Sequence, residues 1–195
     1  MKKIVSLSLL FLLPITMLSQ NRFGVFAGAN NSTLSDGFLE KIGVENALGF
    51  HLGGLYELEL SEKITLRPKL MLSLQGDREE TSGNYIDASS IDYKLTYINI
   101  PLNVKFFSKP YIIAGPQIGI LASTKKAERD FGEVKSNLDY GVNLGVGYDF
   151  KNIFIELNMY QGLETLIHIE SSLGQSVEVD ATNTVLQLSL GYYFN

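Results

Sequence analysis

From residue 138 to 150 apolar and small or polar residues alternate without a break. Leu138, Tyr140, Val142, Leu144, Val146, Tyr148 and Phe150 take the even positions, and Asp139, Gly141, Asn143, Gly145, Gly147 and Asp149 the odd ones. A period of two is the signature of a β-strand with one apolar face. The closing segment repeats it, with Leu186, Leu188, Leu190, Tyr192 and Phe194 set against Gln187, Ser189 and Gly191. So does 64–75, where Ile64, Leu66, Pro68, Leu70, Leu72 and Leu74 alternate with Thr65, Arg67, Lys69, Ser73 and Gln75. No window after the first twenty residues carries a sustained helical stripe.

Extended along the chain, the pattern predicts eight strands, at about 22–30, 48–59, 64–76, 94–106, 110–122, 138–150, 152–162 and 184–194. Their connections alternate in length. Tight turns fall around Ser61-Glu62-Lys63, Ser108-Lys109 and Lys151, and long loops at 31–47, 77–93, 123–137 and 163–183. An even strand count, strands of about ten residues, and short turns at one end with long loops at the other describe an all-β, eight-stranded, antiparallel, up-and-down transmembrane barrel.

A soluble barrel with an apolar interior is the rival, and the face opposite the apolar one separates the two. A solvent-exposed face would be rich in Lys, Glu and Thr. Here that face holds Gly24, Gly28, Gly53, Gly115, Gly119, Gly141, Gly145, Gly147 and Gly191, interleaved with Asn99, Asn103, Gln117, Asn143, Asn158 and Gln187. Glycine is unfavourable in strands, so nine on one face point to an interior where volume is limiting. The apolar face meanwhile carries Phe23, Tyr56, Phe106, Tyr148, Phe150, Tyr192 and Phe194 near the tight turns, the placement of an interfacial aromatic girdle.

The N-terminus reads as an address. Two lysines precede an apolar stretch from Ile4 to Leu18 that contains Pro14, followed by Ser19-Gln20-Asn21. The stretch is too short to span a bilayer as a helix, and the expectation is a cleaved signal peptide at 1–19 followed by a barrel domain at 20–195. The formal charge of −5 then becomes −7, because only Lys2 and Lys3 leave. The four long loops sum to −9 and the barrel with its turns to +2. An acidic chain whose basic residues never run beyond Lys125-Lys126 excludes a nucleic-acid surface, and the absence of cysteine removes disulfides and thiolate metal sites.

The chain resembles the PorT-like, or porin-family, outer-membrane β-barrel proteins, eight-stranded barrels of the OmpA and OmpX kind. The likeness lies in Tyr97-Ile98-Asn99-Ile100-Pro101-Leu102 running into Asn103-Val104-Lys105-Phe106, and in Tyr111-Ile112-Ile113-Ala114-Gly115-Pro116. It continues in Tyr140 to Tyr148 and in Leu188-Ser189-Leu190-Gly191-Tyr192-Tyr193-Phe194. The resemblance implies an outer-membrane location and contact with outer-membrane lipid and lipopolysaccharide. The last strand is similar to the signal read by the barrel assembly machinery, with Ser189, Gly191, Tyr192 and Phe194 filling its roles and Asn195 departing from the commonest ending.

The candidate chemistry is a lumen charge network of Arg22, Glu57, Arg67, Lys69, Lys105, Asp139, Asp149 and Glu156, with Glu59 on the same face. An eight-stranded lumen is about wide enough to be filled by its own side chains, so these charges are expected to pair and plug it. No catalytic, cofactor or metal residues are expected. His168 with Ser171, Ser172 and Glu164 can be drawn as a triad, yet no nucleophile-elbow pattern supports it, and His51 is expected in the lumen. Asp77-Arg78-Glu79-Glu80 lacks the spacing of a calcium loop, and the strand glycines precede no helix that could cradle a phosphate. The expected role is structural, or an interaction with an extracellular partner through the acidic loops. A narrow transport or secretion-associated component and a lipid-modifying enzyme are the alternatives.

Overall fold

The computed structural model describes residues 21–35, 45–78, 93–125, 137–164, 167–169 and 179–194. The strands are β1 (Arg22–Ser35), β2 (Glu45–Ser61), β3 (Ile64–Arg78), β4 (Tyr93–Phe106), β5 (Tyr111–Lys125), β6 (Leu138–Phe150), β7 (Ile153–Gly162), β8 (Ile167–Ile169) and β9 (Val179–Phe194). Each of the first six pairs antiparallel with the next, β7 pairs with β9, and β9 returns to β1 through thirteen residue pairs from Phe23↔Phe194 to Ser35↔Thr182. The result is a closed eight-stranded antiparallel barrel with no free edge.

The expected strands at 22–30, 48–59 and 184–194 run further than the alternation marks them, to Ser35, from Glu45 and from Val179. Backbone pairing continues where the apolar alternation has lapsed, as in Thr33↔Thr184 and Ser35↔Thr182, so the apolar pattern stops before the ladder does. A ninth strand, β8, falls inside the stretch expected to be a loop at 163–183. It pairs with the outer end of β9 and adds nothing to the barrel wall. The expected signal peptide lies outside the described residues, as do most of the four long loops.

The turns joining β2 to β3 and β6 to β7 are two residues each, Glu62-Lys63 and Lys151-Asn152, and Lys151 takes a left-handed backbone with φ 57°. Burial follows the pleat. Along β6 every even position is exposed and every odd one but Gly147 is fully buried. The exposed set across the barrel is a continuous aliphatic band, with Leu52, Leu70, Ile100, Ile118, Leu144, Ile155 and Leu190 all more than 40% accessible. A face of that size and composition is stable only against lipid.

The inward face is packed through glycine set against aromatics. A Cβ added at Gly147 would stand 2.2 Å from Tyr111 Cζ, and one at Gly191 would stand 2.1 Å from Phe154 Cζ. These two glycines therefore provide the space for inward-pointing rings. Phe26, Leu55, Met71, Phe154 and Tyr193 form an apolar cluster within the lumen.

Candidate functional site

All eight barrel strands contribute to one layer near the tight-turn end. Arg67 and Lys69 of β3 both bind Glu156 of β7, from opposite carboxylate oxygens. Arg67 Nε lies 3.3 Å from Glu57 Oε1 on β2. Lys105 of β4 donates to the same oxygen at 3.0 Å and to Asp149 Oδ2 of β6 at 2.6 Å. Arg22 of β1 donates to Glu57 Oε2 at 2.5 Å and stands 3.6 Å from Asp149. The two remaining strands supply phenols: Tyr111 of β5 donates to Glu156 at 3.2 Å, and Tyr193 of β9 donates to Glu57 at 2.8 Å.

Four cations thus share three carboxylates, and each cation also rests on a ring. The Arg67 guanidinium lies 4.6 Å from the centroid of Phe154, Lys105 4.2 Å from Tyr111, Lys69 5.2 Å from Phe26 and Arg22 4.1 Å from Tyr193. Arg67 is 0% exposed, and the other charges are buried as well except Arg22, which reaches the mouth. In a poorly polarisable interior each ion loses its hydration, and multiple close partners are what offset that loss. A cleft of about 230 Å³ opens at the tight-turn end, lined by Arg22, Glu59, Thr65 and the turns, and it ends on Glu57, Lys105 and Asp149.

Of the residues the sequence places in the lumen network, Arg22, Glu57, Arg67, Lys69, Lys105, Asp149 and Glu156 are brought together. Asp139 is not. It sits at the opposite end of β6 from Asp149 and accepts a hydrogen bond at 3.1 Å from Asn183 Nδ2. Ten residues of tilted strand separate the two carboxylates by roughly 26 Å along the barrel axis, too far for a shared cation. Parity assigns a face and leaves the height along the axis to be read from the register. Sequence reasoning also missed the inward rings of Tyr111, Phe154, Tyr160 and Tyr193, all 1% exposed or less. The available signal was their parity: Tyr193 stands between two lipid-facing aromatics and must point inward.

Above the ionic layer the lumen is lined mainly by amides, with the buried Asp139 carboxyl near its far end. Asn143 donates to Gln117 at 3.1 Å, and Asn158 donates to Asn143 at 2.9 Å. Gln75 donates to Ser73 at 2.9 Å, and Asn183 to Gln75 at 2.6 Å. His51 belongs to this set. Asn30 Nδ2 donates to Leu74 O at 3.0 Å, which fixes the amide so that its oxygen accepts from His51 Nδ1 at 2.5 Å. Nε2 of the neutral ring then accepts from Ser189 Oγ at 2.8 Å. A Ser-His-Asn chain suggests a nucleophile, but all three side chains are 4% exposed or less and Ser189 is held in mid-barrel. Nucleophilic catalysis needs a substrate at the oxygen. The set is a structural tie between β1, β2 and β9. Ser171, Ser172 and the His168 side chain lie outside the described residues.

The residues matched to the assembly signal divide by face. Tyr192 and Phe194 are exposed toward lipid, Gly191 gives room to Phe154, and Ser189 binds His51. Phe194 stacks on Phe23 across the closing seam, with ring centroids 5.7 Å apart.

Among solved structures the fold is similar to Neisserial surface protein A, at 16% identity and a TM-score of 0.52, covering 88% of this chain and 97% of that one. It is also similar to the outer membrane protein OprG of Pseudomonas aeruginosa, at 14% identity and a TM-score of 0.49, covering 90% and 97%. A search of curated proteins finds no match. The family model described as "Outer membrane protein beta-barrel domain" matches residues 18–168, more than three quarters of the sequence. With an aliphatic band outside, a polar lumen inside and that match along its length, the chain belongs to the outer membrane protein β-barrel family.

Proposed function

We propose that the protein is a sealed outer-membrane barrel with a structural or interaction role, presenting acidic extracellular loops from a lumen that conducts no solute. The observation that carries this reading is the ionic layer: seven charged side chains and two phenols, drawn from all eight barrel strands, meet in one cross-section. Barrels that pass solutes freely have about 16 strands or more, and an eight-stranded lumen is about filled by side chains. With the lumen closed, the parts left to meet a partner are the long connections, and binding residues concentrate on loops held by a rigid scaffold. The signal peptide at 1–19 and the insertion role of Ser189, Gly191, Tyr192 and Phe194 belong to the same reading, as the route by which the barrel reaches the membrane.

Liposome swelling tests the seal. Vesicles carrying the purified protein are expected to swell in small-sugar solutions no faster than empty vesicles, and faster swelling would overturn the reading. Replacing residues 77–93 with a short neutral turn tests the loops. The expected outcome is an intact heat-modifiable barrel with reduced surface attachment, and unchanged attachment would remove that loop from the account.

A further inference from the structure

Two non-glycine residues take a left-handed backbone among the described residues, Phe107 with φ 66° and Lys151 with φ 57°, and both line the cleft at the tight-turn end. A bulky side chain is strained in this conformation, and such strain gathers where ligands are held. The Phe107 N–H donates to Lys63 O of the neighbouring turn at 2.9 Å, which holds the strained residue in place. Its ring is 58% exposed. An apolar ring thus stands open at the lip of a cleft whose floor is the buried ionic layer.

The sign of that floor selects the ligand. Four cations there share three carboxylates, and the cation that reaches the mouth is Arg22, with 34% of its side chain exposed. Its ion pairs to Glu57 and Asp149 both run through Nη2, and the guanidinium lies over the Tyr193 ring. Nε and Nη1 make no ion pair among the described residues, which leaves donors for a further carboxylate. At the rim, Glu59 and Glu62 balance Lys109 and Lys151, and none of these four is in an ion pair among the described residues. The unbalanced charge is therefore the cation of the floor. At about 230 Å³ the cleft is smaller than the roughly 300–1,000 Å³ of sites that enclose a drug-sized ligand, so it takes the end of a molecule, a carboxylate with one apolar group.

We propose that this cleft binds a terminal carboxylate flanked by an apolar group, with the carboxylate on Arg22 and the apolar group on Phe107. The end of a polypeptide with a hydrophobic last residue and a free aromatic acid share that chemistry. The site rests on the tight turns facing the periplasm, and it is independent of what the long loops bind. The whole mature barrel in detergent micelles is titrated with the peptide Gly-Ala-Phe, with its C-terminal amide and with 3-phenylpropionate, and backbone NMR shifts are followed. The free-acid peptide is expected to shift Thr65, Ser108 and Lys151 and to leave Tyr97, in the far half of the lumen, unmoved. The amide is expected to bind about tenfold more weakly, the loss of one charge-assisted contact. The aromatic acid separates the sources: binding as tight as that of the peptide supports a free acid, and weaker binding supports a chain end. Arg22→Gln should weaken the peptide about tenfold and Phe107→Gly about fivefold. Phe107→Gly also relieves the left-handed strain, so that barrel should unfold at the same or a higher urea concentration than wild type. The control Tyr97→Phe, and a chain extended past Asn195 by Gly-Ser-Gly, should both bind like wild type. Equal affinity for acid and amide, either cleft variant binding like wild type, or an equal loss in the control would each overturn the proposal. So would binding seen only in the extended chain, which would give Arg22 to the chain's own terminal carboxylate.

Discussion

The two halves of the lumen solve the same problem with different chemistry. Near the tight turns, Arg22, Glu57, Arg67, Lys69, Lys105, Asp149 and Glu156 are ions, all but Lys69 with two or more polar partners from other strands, and the phenols of Tyr111 and Tyr193 fill the remaining positions. Nearer the long loops the polar groups are amides, hydroxyls, one imidazole and the Asp139 carboxyl, joined in short runs. There the Tyr97 hydroxyl and Asn99 Nδ2 are buried without a hydrogen-bond partner among the described residues. The comparison separates polarity from stability. The ionic layer locks its strands together because every charge depends on its neighbours, whereas the amide layer can lose single contacts at small cost.

The largest expected effect follows from breaking the ionic layer at its hub. Glu156→Ala leaves Arg67 and Lys69 buried without their shared carboxylate, and such a loss costs about 3–5 kcal/mol. Urea unfolding of the barrel in lipid vesicles should show it, whereas Asn158→Ala in the amide layer should cost about 1 kcal/mol. A midpoint for Glu156→Ala close to that of Asn158→Ala would erase the distinction between the halves.

Packing beside the ionic layer gives the next effect. Gly147→Ala would drive a methyl into the Tyr111 ring that supports Lys105, and overpacking of this kind costs about 1–3 kcal/mol. Gly54 makes the control. The nearest atom to a Cβ there is 3.7 Å away, so Gly54→Ala should shift stability by less than about 0.5 kcal/mol.

The finest test uses one substitution in both halves. Tyr193→Phe removes the hydroxyl that donates to Glu57 at 2.8 Å and should destabilise by about 1–2 kcal/mol. Tyr97→Phe removes a hydroxyl with no partner among the described residues and should be neutral or stabilising by up to about 1 kcal/mol. Effects of the same sign and size would show that the two layers are energetically alike.

The wall of the barrel was legible because a strand writes both of its faces into sequence parity. Leu144 and Asn143 are neighbours in the chain and point to different solvents. Strand ends were less legible, since pairings such as Thr33↔Thr184 continue the ladder with no apolar marker. Pairing inside the lumen was hardest to read. Arg67 and Glu156 are 89 positions apart and meet only because closure sets β3 across from β7, a distance that local pattern does not encode. For the same reason Asp139 shared the parity of Asp149 but none of its partners, and β8 was hidden in a stretch too short to show a period.

Planar-bilayer recording of the purified wild-type protein tests the central claim most directly. A lumen closed by the ionic layer predicts membranes that stay at baseline current with the protein inserted. A sustained open-state conductance would contradict it.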